Sequence, residues 1–220
     1  MKVDTITVTN DFFNPGFIEL KKSLIKHEVH HHVINVPWQG FFTKVDEARK
    51  FAENCDADYI LFVDAHDVIF VGGLDDVKNK IKLFGDIDAI FSAEKAIWPT
   101  ASVWPDPSLA EEYPEVDSQW RYLNSGTFLI RPELLIELVD SKPPTIGIDD
   151  QMYWAYHYLT NKERIVLDTN CEIFQTLAHD DGSSFGMVDG KFTNRETGSN
   201  PLVVHGNGLS FNQYNYSYLK

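Results

Sequence analysis

The stretch YILFVDAHD, residues 59–67, joins a short apolar run to a pair of carboxylates. An unbroken apolar run of this length is typical of a strand that is buried on both faces of a sheet. Asp64 and Asp67 follow where this strand ends. Because open α/β sheets bind their ligands beyond the carboxyl ends of the strands, the stretch predicts a fold class and the place of a site.

Strand-like and helix-like patterns alternate on both sides of this stretch. Strands are predicted over residues 3–9, 29–36 and 87–92, and helices over 16–26, 44–54 and 74–84. This alternation predicts an α/β fold with a mixed, mainly parallel central sheet that is flanked by helices. Asn10 and Asp11 are expected to cap the first helix.

The second half of the chain is less regular. Residues 98–120 contain four Pro and three Trp and predict a long loop or lid, and residues 179–200, rich in Gly, Asp, Ser and Asn, predict another loop. His179 and Asp181 have the spacing of an iron-binding pair, but we interpret them as part of that polar loop. The remaining predicted elements are strands over 126–131 and 202–205, and helices over 132–139 and from Asp149-Asp150 to about residue 159.

Composition narrows the class of protein. The chain has 220 residues, of which 43% are hydrophobic, and we expect one domain over residues 1–220. A formal net charge of −14 repels phosphate backbones, so no nucleic-acid partner is expected. The absence of a signal-like or membrane-length apolar run predicts a cytoplasmic protein without membrane insertion. Cys55 and Cys171 have no CxxC spacing and are expected to be free thiols.

Asp64 and Asp67 are the first candidates for a metal site. Carboxylate oxygens suit Mg²⁺ or Mn²⁺, particularly when diphosphate oxygens complete the coordination shell. Such an ion would offset the charge that develops on a leaving diphosphate. A helix cap or a turn explains two aspartates at this spacing equally well.

His205-Gly206-Asn207-Gly208 follows the last predicted strand. The two glycines allow the backbone to approach a phosphate closely. His205 could add a nitrogen ligand to the same ion, which would favour Mn²⁺ over Mg²⁺. A tight turn with a partly buried histidine is the alternative interpretation.

Seven blocks of sequence between residues 36 and 208 carry a family resemblance. They are, in order, FVDAHDVIF (62–70), FSAEKAIWP (91–99), LAEEYPEV (109–116), YLNSGTFLI (122–130), DDQMYWAYHYL (149–159), DTNCEIFQTL (168–177) and PLVVHGNG (201–208). Together they resemble the glycosyltransferase domain of the procollagen lysyl hydroxylase/collagen glucosyltransferase family, and the related procollagen galactosyltransferases are more distant. That resemblance implies a GT-A type, Rossmann-like nucleotide-diphospho-sugar transferase fold, a UDP-sugar donor and Mn²⁺.

The resemblance also implies roles for particular residues. Asp64, Asp67 and His205 match the family's metal ligands. Asp149 and Asp150 match the end of an acidic run near the sugar and the acceptor, where carboxylates orient hydroxyls or act as a base; both also suit a helix N-terminus. The residues expected at the donor are Thr9, Asn10, Trp38, Lys44, His66, Trp98, Asn124, Gly206, Asn207 and Gly208.

The sequence therefore predicts a metal-dependent transferase that moves glucose or galactose from a UDP-sugar to an acceptor hydroxyl on a collagen-like protein or a glycan. Residues up to about 95 would bind the nucleotide, and residues from about 96 the sugar and acceptor. A nucleotide-sugar hydrolase or nucleotidyltransferase and a non-catalytic UDP- or glycan-binding module are the alternatives. The aromatic segment from Phe211 to Leu219 is a candidate for acceptor binding or for a homodimer contact.

Overall fold

The apolar run that precedes Asp64 forms the middle of a six-stranded sheet. The structure is a computed structural model that describes residues 1–145 and 147–208. The run is strand β3 (Tyr59–Val63), and all of its residues are buried. The other strands of this sheet are β1 (Val3–Val8), β2 (His31–Ile34), β5 (Ala89–Glu94), β6 (Tyr122–Ile130) and β7 (Ile165–Asp168).

The strand order is β2-β1-β3-β6-β5-β7. Strand β1 pairs in parallel with β2 and β3, and β5 pairs in parallel with β7. Strand β6 is antiparallel to both of its neighbours, β3 and β5. The predicted mixed, mainly parallel sheet is confirmed.

Helices cover both faces of the sheet. They are α1 (Pro15–Lys26), α2 (Phe42–Ala52), α3 (Leu74–Ile81), α4 (Pro132–Ser141) and α5 (Asp150–Thr160). Alternate residues of β3 point to opposite faces, so Ile60 and Phe62 join one apolar core with α2, α4 and α5. Leu61 and Val63 join a second core with α1 and α3. The central strand therefore anchors the residues that follow it from both sides.

A small sheet brings the last described strand beside the carboxylate loop. It consists of β4 (Val68–Phe70), β8 (Phe174–Thr176) and β11 (Val203–His205). Strand β11 lies between the other two, antiparallel to β4 and parallel to β8. Because His205 is paired with Val68, it lies next to the loop that carries Asp64 and Asp67.

The prediction of a loop over residues 179–200 was wrong. It contains a hairpin of β9 (Phe185–Val188) and β10 (Lys191–Asn194). Asp189 and Gly190 connect the strands with positive φ angles of 49° and 78°, as a two-residue hairpin turn requires. The rings of Phe185 and Phe192 stack at 5.7 Å between centroids and give the hairpin an apolar side.

Other boundaries differ from the predictions. Asn14, rather than Asn10 or Asp11, caps α1, and its side chain accepts a hydrogen bond from the Gly16 N–H. Residues 98–120 contain two short 3₁₀ helices, Ala101–Val103 and Pro107–Glu112. Cys55 and Cys171 are free thiols, as predicted.

No helix in the described ranges is long and apolar enough to cross a membrane. The aromatic segment from Phe211 to Leu219 lies outside the described residues.

Candidate active site

Asp64, Asp67 and His205 form a cluster of potential metal ligands. One ligand atom from each residue lies within 4.8 Å of the other two. His205 Nε2 is 3.3 Å from Asp67 Oδ2 and 4.0 Å from Asp64 Oδ2. The Gly206 N–H donates to the Asp67 carbonyl oxygen at 2.7 Å, which holds the end of β11 against the carboxylate loop. We refer to these three residues as the Asp–Asp–His cluster.

Strand β6 orients the imidazole of His205. His205 Nδ1 lies 2.9 Å from Asn124 Oδ1, and a hydrogen bond donated by Nδ1 leaves Nε2 facing the two carboxylates. A Cβ atom on Gly126 would lie only 2.0 Å from His205 Cε1, so the ring occupies space that only a glycine leaves open. Gly126 also accepts a hydrogen bond from the Asp64 N–H at 2.7 Å.

An irregularity in β6 creates this arrangement. Its register with β5 shifts between the pairs Phe91–Phe128 and Ser92–Asn124. Bulges of this kind are frequent next to active sites, because they redirect backbone and side chains locally. Ser125 and Gly126 lie within the shifted segment, and both line the cavity described below.

The cluster fits a divalent ion. Two carboxylates and one imidazole whose second nitrogen is held by an amide are a common set of ligands and supporting contacts for such an ion. Burial opposes the charge on His205, but the carboxylates of Asp67 and Asp64 outweigh it and raise the pKa of the imidazole. Burial raises the pKa of Asp64, and Lys44 only partly offsets that effect. Two half-buried carboxylates beside a buried histidine thus form a site that a divalent cation would stabilise.

Lys44 links this cluster to Asp150. Its Nζ lies 2.9 Å from Asp64 Oδ1 and 2.7 Å from Asp150 Oδ2. Burial alone would lower the pKa of Lys44, but the carboxylates of Asp150 and Asp64 raise it by more. The net effect is a raised pKa, so the side chain stays charged. Ser125 Oγ donates a second hydrogen bond to Asp150 Oδ2 at 3.0 Å.

Asp149 caps helix α5. Its Oδ1 accepts hydrogen bonds from the N–H groups of Gln151 and Met152 at 3.0 and 3.1 Å. Burial raises the pKa of Asp149, and these two donors partly offset the effect. The predicted helix N-terminus is therefore present, and a catalytic role for Asp149 stays a prediction.

Glu94, at the end of β5, is held by two amides. Asn207 Nδ2 donates to Glu94 Oε2 at 2.7 Å, and Gln151 Nε2 donates to Glu94 Oε1. Burial raises the pKa of Glu94 to about 7, although Gln151 and other donors partly offset the effect. Glu94, Gln151 and Asn207 form what we call the Glu94 network.

The Asp–Asp–His cluster and the Glu94 network open into one cavity of about 620 Å³. This volume is in the range of sites for ligands the size of a nucleotide or a sugar. The predicted site residues that line it are Lys44, Asp64, Asp67, Trp98, Asn124, Asp149, Asp150, His205, Asn207 and Gly208.

The other predicted donor residues lie elsewhere. Thr9 Oγ1 and His66 Nε2 are hydrogen bonded to each other at 3.0 Å where β1 and β3 end. Asn10 is exposed beside them. Trp38 contacts Phe41 edge to face at 5.9 Å, and Phe41 in turn lines the cavity. Gly206 acts through its hydrogen bond to Asp67.

Sequence reasoning missed several lining residues. Glu94 had a usable signal, since it is a carboxylate at the carboxyl end of a predicted strand. The role of Gln151 depends on contacts across 57 positions of sequence, which no local pattern reveals. The lining residues without a predicted role are Phe41, Glu94, Ser125, Gly126, Gln151, Ala178 and His179.

Comparisons with known proteins show the family to which this chain belongs. A family model described as the PLOD GT domain matches residues 38–219. The Drosophila melanogaster procollagen-lysine,2-oxoglutarate 5-dioxygenase is 37% identical over 162 residues, which are 69% of this chain and 21% of that protein. The human multifunctional procollagen lysine hydroxylase and glycosyltransferase LH3 is 34% identical over 177 residues, which are 77% of this chain and 23% of that protein. The chain spans about a fifth of the length of these relatives.

A solved structure shows the same fold. The crystal structure of a glycosyltransferase involved in the glycosylation of the major capsid of PBCV-1 superposes with a TM-score of 0.56 at 12% sequence identity. The alignment covers 97% of this chain and 96% of that one, and it confirms the GT-A type fold. The family match extends over most of the sequence, so this chain belongs to the PLOD GT domain family of glycosyltransferases.

Proposed function

We propose that this glycosyltransferase transfers a hexose, glucose or galactose, from a UDP-sugar to an acceptor hydroxyl with the help of a divalent ion, Mn²⁺ first and Mg²⁺ second. The Asp–Asp–His cluster at the edge of the 620 Å³ cavity is the observation that carries the proposal. The imidazole in the set favours Mn²⁺, because Mg²⁺ prefers oxygen ligands alone.

The cluster would hold the ion and, through it, the donor diphosphate. A bound ion of this kind supplies charge stabilisation to the diphosphate as the bond to the sugar breaks. Gly206, Asn207 and Gly208 follow His205 directly and would bring backbone groups to the phosphates. Thr9, Asn10, Trp38 and His66 would contact the uridine.

Other acidic and amide groups that line the cavity would contact the sugar. Asp150 is oriented by Lys44 and Ser125, and the Glu94 network presents a second carboxylate. Pairs of fixed carboxylates can orient sugar hydroxyls or accept a proton. In this proposal residues up to about 95 bind the nucleotide, and residues from about 96 bind the sugar and the acceptor.

The acceptor is proposed from the relatives. Their names describe enzymes of procollagen lysine, so a hydroxylysine hydroxyl of a collagen-like protein, or a glycan attached to it, is the first acceptor to test.

A turnover screen tests the proposal. UDP-glucose and UDP-galactose, each labelled in the sugar, are incubated with Mn²⁺ and a panel of hydroxylysine peptides and glycans. We expect Mn²⁺-dependent transfer to at least one acceptor, and loss of transfer in Asp64→Asn. Label that appears only as free sugar with every acceptor would instead assign a hydrolase. UDP binding without any turnover would assign a binding module.

A further inference from the structure

The loop that follows β8 carries a histidine in an unusual backbone conformation. His179 has a φ of 61°, in the left-handed region that residues other than glycine seldom occupy. His179 is exposed and is one of the residues that line the 620 Å³ cavity. Conformations of this kind are retained where the surrounding structure imposes them, and they concentrate at functional sites.

Contacts on both sides of His179 impose this conformation. The Ala178 N–H donates to Asn207 Oδ1 at 3.0 Å, which ties the loop to the Glu94 network. Lys95 Nζ binds Asp180 Oδ2 at 2.6 Å, and the Gly182 N–H donates to Asp180 Oδ1 at 2.7 Å. Lys95 itself lies over the ring of Trp120, with its Nζ 4.4 Å from the centroid. The loop is thus anchored immediately before and after the histidine.

The other titratable side chains of the cavity are already engaged. Lys44 and Asp150 form an ion pair, and Asp64, Asp67 and His205 form the proposed ion site. Glu94 accepts hydrogen bonds from two amides, and Asp149 caps α5. The ring of His179, by contrast, forms no hydrogen bond or ion pair with another described residue. Among the residues that the structure describes, His179 is therefore a cavity residue whose ring nitrogens remain available to a substrate hydroxyl.

We propose that His179 is a catalytic residue that accepts the proton of the acceptor hydroxyl; this inference rests on the proposed transfer reaction. The acceptor oxygen forms a bond to the anomeric carbon while its proton passes to a ring nitrogen of His179. The bond between the anomeric carbon and the diphosphate oxygen breaks, and its electron pair leaves with UDP. A neutral imidazole has one ring nitrogen that accepts a hydrogen bond, and histidine is the side chain that most often acts as a general base.

The alternative is that His179 is only a turn residue of a polar loop, as its sequence context predicts. Two substitutions separate these roles, because asparagine and glycine both tolerate a left-handed backbone. His179→Asn and His179→Gly remove the basic nitrogen without adding backbone strain. A turn residue could be replaced by either with no loss of turnover.

The test measures binding and turnover separately in the full chain. UDP affinity is measured calorimetrically with Mn²⁺, and sugar release is measured from UDP-glucose and UDP-galactose, with water and with hydroxylysine peptides as acceptors. We expect unchanged UDP affinity in both variants and at least about a 100-fold fall in turnover. Added imidazole, at constant free Mn²⁺, is expected to restore part of the rate in His179→Gly and to leave the wild-type rate unchanged.

Two outcomes overturn the inference alone. Turnover within about threefold of wild type in either variant would show that His179 is a turn residue. A fall in turnover that imidazole does not restore would assign it a positioning role. Failure of the proposed function looks different, because the wild-type protein itself would then bind no UDP or release no sugar, and the inference would fail with it.

Discussion

At Gly126 a single missing side chain makes room for the imidazole of His205. The carbonyl oxygen of the same glycine accepts a hydrogen bond from the Asp64 N–H. One residue thus helps to position both His205 and Asp64 in the Asp–Asp–His cluster. Asn124 fixes the other side of the ring. Contacts behind the ligands decide whether the Asp–Asp–His cluster can bind an ion, as they do in metal sites generally.

Gly126→Ala is therefore expected to weaken Mn²⁺ binding by at least about tenfold, because the added methyl group displaces His205. Titration calorimetry measures the affinity. Gly73→Ala is the matched control, since a Cβ at that position meets no atom closer than 3.7 Å. Equal affinities in the wild type and in a folded Gly126→Ala protein would contradict the placement of His205.

Lys44 neutralises two carboxylates at once. Its side chain is 10% exposed and that of Asp150 is 7% exposed, so removal of the ammonium leaves the buried Asp150 carboxylate without its cation. Lys44→Met is expected to lower the free energy of unfolding by about 3–5 kcal/mol, as measured by urea denaturation. The double variant Lys44→Met/Asp150→Asn should recover part of the loss. A loss below about 1 kcal/mol in the single variant would show that the ion pair is replaced by solvent.

At the scale of single elements, local patterns predicted what depends on local chemistry. Residues 59–63 form a buried strand and residues 132–139 lie in a helix, because apolar spacing and Pro132 determine them over short distances. The hairpin of β9 and β10 was missed although Asp189-Gly190 is a hairpin signal, since the surrounding composition resembles a loop. The bulge in β6 depends on its pairing with β5, which single-sequence periodicity does not show.

The same division holds for the site. The proximity of Asp64, Asp67 and His205 could be predicted, because each lies at or just after the end of an apolar strand; their binding of an ion stays a prediction. The contact between Glu94 and Asn207 spans 113 positions and exists only after β5 and β11 are in place. Residues such as Glu94 and Asn207, whose contacts join distant parts of the sequence, are therefore found in the structure and not from local sequence patterns.

Helix α5 allows a test of the two roles of Asp149. Asp149→Ala removes both capping hydrogen bonds and should lower the free energy of unfolding by about 1 kcal/mol. Asp149→Asn keeps a capping oxygen and should be close to wild type in stability. Comparison of the turnover of Asp149→Asn with that of the wild type then measures the carboxylate's own contribution. Wild-type turnover in Asp149→Asn would show that Asp149 only caps α5 and has no catalytic role.

For the whole molecule, pH acts through groups that folding buries. His157, on α5, is buried among aromatic rings, and its Nε2 has no hydrogen-bond partner among the described residues. Burial, assisted by Lys142, lowers the pKa of His157 to about 4 from its usual 6.5. The unfolded chain therefore takes up a proton before the folded one does.

The contribution of His157 to the free energy of unfolding is therefore fully present above pH 6.5. It is lost as the pH falls towards 4, and the total loss is about 3 kcal/mol. The quantity to measure is the difference in unfolding free energy between the wild type and His157→Gln from pH 7 to pH 4. Burial also raises the pKa of Glu94, but that contribution is common to both proteins and cancels in the difference. A difference that does not change with pH would contradict the assignment.

The proposed function requires that the Asp–Asp–His cluster, which the central sheet and the bulge in β6 position, holds the ion that binds a UDP-sugar diphosphate. Calorimetric titration of UDP into the wild-type protein and Asp67→Asn, each with Mn²⁺ and with EDTA, tests it most directly. We expect UDP to bind the wild type with Mn²⁺, and to bind at least tenfold more weakly, by about 1.4 kcal/mol, with EDTA or in Asp67→Asn. Equal UDP affinity in all four titrations would contradict it.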